Sequence, residues 1–151
     1  MNPNFTNQNK VPDWFYNQSA VIPIKLEKGK IKILLITSRK KKRWIIPKGV
    51  VEPELSSSDS AAQEAFEEAG IKGDIYPNPI GEYQYKKWGG TCTVTVFLMK
   101  IEMLLLEWPE SYRNRIWVGI NESKIFIQEK KLQEIIQSVP SIHANLISDL
   151  S

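Results

Sequence analysis

The stretch Pro47-Lys48-Gly49-Val50-Val51-Glu52-Pro53-Glu54-Leu55, followed after seven residues by Gln63-Glu64-Ala65-Phe66-Glu67-Glu68-Ala69-Gly70-Ile71, decides how this sequence reads. Pro47 and Gly49 end the short apolar run Trp44-Ile45-Ile46, and Pro53 prolongs the loop. Ser56-Ser57-Ser58-Asp59 offers several helix N-caps, and Gly70 stands where a left-handed C-terminal cap belongs. The pattern predicts a helix from about Asp59 to Ala69. At about 100° per residue, Ala62, Ala65, Phe66 and Ala69 share one face, narrow enough to lie close against a sheet. Glu64, Glu67 and Glu68 share the opposite face at i, i+3 and i+4. No Lys or Arg lies on this helix to relieve their repulsion. Solvation would tolerate the arrangement. A divalent cation would use it, since Mg²⁺ takes carboxylate oxygens.

Working outward, Ser19–Leu26 and Ile31–Thr37 read as strands, with Pro23 pointing to an edge or a bulge. Further strands are expected at Ile75–Lys86, Thr91–Glu102 and Arg115–Ile120, with a turn at Trp88-Gly89-Gly90. A second helix is expected over Glu122–Ser138, stopped by Pro140. Strands interleaved with two helices make a mixed α/β (α+β) domain. The 151 residues allow one such domain, here residues 18–151 behind a polar tail, 1–17.

Charge is uneven. Lys25, Lys28, Lys30, Lys32, Arg39, Lys40, Lys41, Lys42 and Arg43 precede the acidic run Glu52, Glu54, Asp59, Glu64, Glu67 and Glu68. A solvated hairpin tip and a solvated helix face explain this; so does a site holding a cation and a polyphosphate together. A net charge of +3 is too small to argue for nucleic acid. One cysteine, Cys92, and one histidine, His143, exclude an internal disulfide and a Cys/His zinc site. Cys92 alternates with Thr91 and Thr93 and is expected to be buried; His143 is given no role. No apolar run approaches the roughly 20 residues of a membrane helix, and the Asn-rich start has no apolar core of a leader peptide. A cytoplasmic setting is the expectation.

With Gly49 as its first residue, the stretch resembles the Nudix hydrolase signature: Gly, five residues, Glu, seven residues, then Arg-Glu-apolar-x-Glu-Glu-x-Gly-apolar. Gly49, Glu64, Glu67, Glu68, Gly70 and Ile71 fall in register; Leu55 stands for the first Glu and Gln63 for the Arg. The resemblance extends through Thr37-Ser38-Arg39, Arg43–Gly49, Lys72-Gly73, Glu107-Trp108 and Arg113–Trp117 to the subgroup of diphosphoinositol polyphosphate phosphohydrolases, which also cleave diadenosine polyphosphates. It covers roughly Ser19 to Val139.

The resemblance implies a Nudix fold, a mixed curved sheet in an α/β/α sandwich, with a loop-helix-loop at one edge. It implies Mg²⁺ or Mn²⁺ held by Glu64, Glu68 and the backbone carbonyl of Lys48, with Glu67 as general base. Glu107 and Glu110 are later-loop alternatives for the base. Ser38, Arg39, Arg43, Lys87, Arg113 and Arg115 are its candidate substrate-binding residues, and the box itself comprises Gly49, Gln63, Glu64, Glu67, Glu68 and Gly70. Lys41 and Lys86 are further phosphate candidates, whereas Lys40 and Lys42 read as solvated. Trp44 reads as a core residue and Trp88 as an exposed aromatic. The implied activity is Mg²⁺-dependent cleavage of a phosphoanhydride bond in a polyphosphorylated small molecule, with no membrane or nucleic-acid partner expected. Cleanup of oxidised nucleoside triphosphates, RNA 5′ pyrophosphate removal and a non-catalytic binding module remain open. Missing Glu and Arg at 55 and 63 together leaves no orphan charge, so the loop can stay folded without that pair.

Overall fold

Strand β1 (Asn17–Glu27) forms the middle of an eight-stranded mixed sheet, and its side chains alternate between two apolar layers. In the computed structural model, which describes residues 11–150, β1 is followed by β2 (Lys30–Thr37), β3 (Trp44–Ile45) and β4 (Lys48–Val50). Helix α1 (Ser57–Glu64) continues as a π-helical turn, Ala65–Ala69. Then come β5 (Ile71–Ile75), β6 (Gly81–Lys87), β7 (Gly90–Leu104), β8 (Arg115–Gly119), α2 (Ser123–Phe126) and α3 (Lys130–Leu150).

One edge of β1 is shared. Gln18–Ala20 pair antiparallel with β4, and Ile24–Glu27 pair antiparallel with β2. Along its other edge β1 runs parallel to β7. Strands β5 and β6 both pair with the far edge of β7, while β3 and β8 pair with β2. Ala20, Ile22 and Ile24 face a core built with Leu132, Ile135 and Ile136 of α3. Val21 faces a second core with Leu34, Phe97 and the alanines of α1. Helices therefore cover both faces, and the sandwich is the one the resemblance implies.

Four expectations change. Pro23 lies in the central strand, not on an edge or in a bulge. The Val21 N–H points to the β4 side, bonding the Pro47 carbonyl, so the Pro23 nitrogen faces the gap between the β4 and β2 pairings. A missing donor costs nothing there. The strand expected over Ile75–Lys86 is two strands, because Pro77 and Pro79 interrupt it before it rejoins β7. The helix expected over Glu122–Ser138 is the short α2 and the long α3, and Pro140 lies inside α3. Packing of Ile136, Val139 and His143 into the sheet carries the helix through the proline. Lastly, the chain ahead of residue 18 is not all tail. Asp13–Tyr16 forms a 3₁₀ turn, and Tyr16 donates to the Trp88 carbonyl at 2.6 Å. Residues 1–10 of the expected tail lie outside the described residues.

Candidate active site

Ser56 caps α1, its hydroxyl accepting from the Asp59 amide at 3.1 Å. The buried stripe is Ala61, Ala65 and Ala69, rather than Ala62, Ala65, Phe66 and Ala69. Spacing of four drifts around an α-helix. The wider i→i+5 turn over Ala65–Ala69 winds more slowly and keeps Ala69 against the sheet. Glu68 is buried, while Glu64 and Glu67 are half-buried, the Glu67 carboxylate accepting from the Gln63 amide at 3.1 Å. Glu64 feels both Glu68 and Glu67, so the three acids remain neighbours.

The end of this helix is capped by a single loop, 105–115. The Glu110 amide donates to the Glu67 carbonyl, Trp108 Nε1 to that of Glu68, Arg115 Nη1 to that of Ala69, and the Leu105 amide to that of Gly70. Four consecutive carbonyls that a helix end leaves open are satisfied. Gly70 adopts φ 67°, and its Cβ position is filled by the Trp108 ring. This loop also brings Glu110 to the carboxylate pair.

Strand β4 separates two faces of the site. Gly49 pairs with Ser19 and faces α1, where a Cβ would lie 2.2 Å from the Glu64 carboxyl. Lys48 pairs with Ala20, so its side chain emerges on the other face. The Lys48 amide donates to Glu68 Oε1 at 3.1 Å. In extended backbone the carbonyl of a residue points to the same edge as its N–H, so the Lys48 carbonyl is directed toward Glu68 too.

Burial raises both Glu64 and Glu68 above the ordinary carboxylate range. Each is pushed further by neighbouring carboxylates, while the Lys48 amide and Arg113 partly hold Glu68 back. Two buried acids within reach of one another, with Glu110 nearby, are short of positive charge. Ser19 Oγ, on the face shared with Gly49, is buried without a hydrogen-bond partner. Among the described residues no three Asp, Glu, His or Cys side chains converge on one point. Mg²⁺ does not need three: it is commonly held by one or two carboxylates, with waters and substrate phosphates completing the octahedron. The donor set of Glu64, Glu68 and the Lys48 carbonyl fits such an ion.

Across β4 a cleft of about 330 Å³ is lined by Arg43, Trp44, Lys48, Tyr83, Tyr85 and, from the α2–α3 connection, Glu129. Lys48 Nζ donates to the Tyr85 hydroxyl at 2.8 Å, which donates to Gln18 Oε1 at 2.7 Å. Burial, then Lys87 and Arg43, push Lys48 down to about 8, against the pull of Glu68. Burial likewise pushes Tyr85 up to about 12. Arg43, Lys48 and Lys87 therefore form a cationic group.

The other expected residues are placed as follows. Ser38 organises its own turn, its Oγ accepting from the amides of Lys42 and Arg43. Arg39 is exposed and does not line the cleft. Arg113 is 5% exposed and bonds Glu110 and the Thr37 carbonyl with three of its five N–H groups, so its guanidinium is turned to the 105–115 connection and the carboxylate pair. Arg115 caps Ala69 and stacks at 3.9 Å on Trp108. Trp44 packs edge-on against Phe126 and also lines the cleft. Trp88 is half-buried against Phe15 and Tyr16, rather than exposed. Cys92 is buried, as expected. Glu107 is exposed. The sequence reading missed the Lys48 side chain, Tyr85 and Trp108. The alternation of Lys48 and Gly49 along β4 was the available signal for the first.

Residues 16–134 match the NUDIX domain family. Nudix hydrolase 21, chloroplastic, of Arabidopsis thaliana is 32% identical over 114 residues, 73% of this chain and 57% of that protein. The chain thus spans under three-fifths of the length of the plant relatives it matches. Diphosphoinositol polyphosphate phosphohydrolase 3-beta of Bos taurus is 26% identical over 139 residues, 92% of this chain and 80% of that protein. A C. elegans Ap4A hydrolase in a binary complex shares the fold, with a TM-score of 0.70, 21% identity and coverage of 85% of this chain and 98% of its own. The chain belongs to the NUDIX domain family.

Proposed function

We propose that this protein is a divalent-cation-dependent pyrophosphohydrolase acting on a phosphoanhydride bond of a polyphosphorylated small molecule, of the diadenosine polyphosphate or diphosphoinositol polyphosphate kind. The observation that carries the reading is the position of Lys48. Its amide anchors Glu68 on the carboxylate side, and its ammonium enters the cationic cleft on the other. A cation site and a phosphate site thus lie a single residue apart. The names of the similar proteins agree with this chemistry.

In this reading Glu64, Glu68 and the Lys48 carbonyl would hold Mg²⁺ or Mn²⁺, which would supply positive charge for the phosphoryl oxygens and lower the pKa of a water. Arg43, Lys48 and Lys87 bind the phosphate oxygens and set the anhydride in place. Glu67, whose carboxylate accepts from the Gln63 amide, accepts the proton of the attacking water. Glu110 is less suited, because Arg113 occupies its Oε1 twice. Trp44, Tyr83 and Tyr85 are the aromatic part of the cleft lining, beside Arg43 and Lys48.

The test is a panel of diadenosine tetraphosphate, diphosphoinositol and nucleoside triphosphate substrates, titrated with Mg²⁺ in ¹⁸O water. The wild type should release phosphate products in a Mg²⁺-saturable way. Glu68→Gln should lose that release and keep its far-UV spectrum. Undiminished release from Glu68→Gln would refute the mechanism.

A further inference from the structure

The two positions that depart from the family pattern, Leu55 and Gln63, line one cleft of about 370 Å³. Glu64 and Glu67 line it as well, so it opens onto the carboxylate side of β4. Two aromatic residues from ahead of β1, Trp14 and Phe15, line it too, with Val50, Glu52 and Ser60. These rings are held in place. Trp14 and Phe15 lie 4.7 Å apart, Phe15 meets Trp88 edge-on at 5.4 Å, and Tyr16 is bonded to the same β6–β7 turn. Trp14 keeps 37% of its surface exposed and lines the cleft.

A Glu at 55 and an Arg at 63 would place an ion pair at this wall. Leu55 supplies an apolar surface instead. Gln63 uses its amide nitrogen on Glu67, which leaves its carbonyl oxygen as an acceptor. Glu52 adds carboxylate acceptors, and the cleft lining contains no Lys or Arg. An anion is therefore the wrong occupant. A flat, neutral ring carrying an amino group is the right one: it stacks on Trp14 and donates to Gln63 and Glu52.

Building on the proposed function, we propose that this cleft is a nucleobase subsite. It takes the aminopurine of a nucleoside polyphosphate, whose phosphates pass Glu64 and cross β4 to Lys48 and Arg43. The departures at 55 and 63 then form one adaptation that exchanges a loop-bracing ion pair for base recognition. They also favour a dinucleoside polyphosphate over a diphosphoinositol, which has no base to place there.

The experiment uses the full chain with Mg²⁺ and has two arms. In the first, adenosine alone is titrated while the indole N–H resonance of Trp14 is followed, assigned with Trp14→Phe. That resonance should shift, and the shift should be lost in the double variant L55E/Q63R, which refills the wall with charge. In the second arm, kcat/KM is measured for diadenosine tetraphosphate and for inorganic tripolyphosphate. The ratio of the two should fall about tenfold in Trp14→Ala and in L55E/Q63R, and be largely kept in Trp14→Phe. Proportional losses on both substrates, or a ratio that does not move, would overturn the subsite. If the wild type cleaves neither compound, the proposed activity fails. The adenosine titration still decides the subsite: a shift at Trp14 supports it and a fixed resonance overturns it.

Discussion

The guanidinium of Arg113 donates twice to one oxygen of Glu110, from Nε at 3.0 Å and from Nη2 at 2.7 Å. Its remaining arm bonds the Thr37 carbonyl at 2.9 Å, and Nη2 stands 3.8 Å from Glu68. One buried side chain thus ties the capping loop, the end of β2 and the carboxylate pair. Removing one partner of a buried charged network leaves the others desolvated and unpaired, at about 3–5 kcal/mol. Arg113→Met should lower the unfolding free energy from urea titration by an amount in that range, seen as a lower midpoint at constant m. Arg113→Lys should not restore it, because an ammonium cannot meet three fixed acceptors with the geometry of a guanidinium.

Burial raises Glu64 and Glu68 in the folded protein relative to the ordinary carboxylate value of 4.5. The folded state therefore binds more protons than the unfolded state between that value and neutrality. Stability conferred by the protonated pair is fully present at low pH and is lost as pH rises through the raised values. Metal-free protein should melt at a lower temperature at pH 8 than at pH 5.5. Saturating Mg²⁺ should narrow the difference, since it binds the ionised pair in the folded state only. Melts across pH with and without Mg²⁺ check this; a Glu64→Gln, Glu68→Gln double variant should show neither effect.

Lys48 has the opposite sign. Its folded value, about 8, lies below the ordinary 10.5, so the buried ammonium opposes folding at pH 7 and that penalty fades as pH rises through this window. Lys48→Met should be as stable as the wild type or more so at pH 7, with the margin shrinking toward pH 10. On the proposed substrates it should raise KM about ten- to a hundredfold, the worth of one charge-assisted hydrogen bond. Melting curves and initial rates on the same preparations separate the two effects.

Two glycines serve by having no side chain. Gly70→Ala must hold φ near 67° and push a Cβ to 2.7 Å from the Trp108 ring. It should cost at least about 1–2 kcal/mol, read in the melting temperature. Gly49→Ala has an ordinary backbone and instead displaces the Glu64 carboxyl, 2.2 Å from the new Cβ. Its loss should appear mainly in Mg²⁺ affinity, measured by titration calorimetry.

Much of the fold was legible because it is written locally. The apolar run within Ser19–Leu26 marks a strand, and the serine cap with Gly70 brackets the helix, since each depends on neighbours within four residues. The spacing of Glu64, Glu67 and Glu68 placed three acids on one short helix. It did not reveal the π-helical turn, because that turn follows from fitting Ala61, Ala65 and Ala69 onto the sheet. Pro140 misled for a related reason: the packing of α3 outweighs its local cost.

The sequence by itself determined that carboxylates and a glycine-ended helix follow a basic stretch in a NUDIX pattern, since motif and spacing are properties of the chain. Only the tertiary structure decided which charges meet. Arg113 turned inward to Glu110, and Lys48 sent its ammonium to Tyr85 and its amide to Glu68. Trp14 and Phe15 came to line the cleft beside Leu55 and Gln63. These partners lie 3 to 49 residues apart in the chain. What selects among such pairings is burial, which no local pattern reports: a charge or a ring takes whichever partner the packed sheet and its capping loop leave within reach.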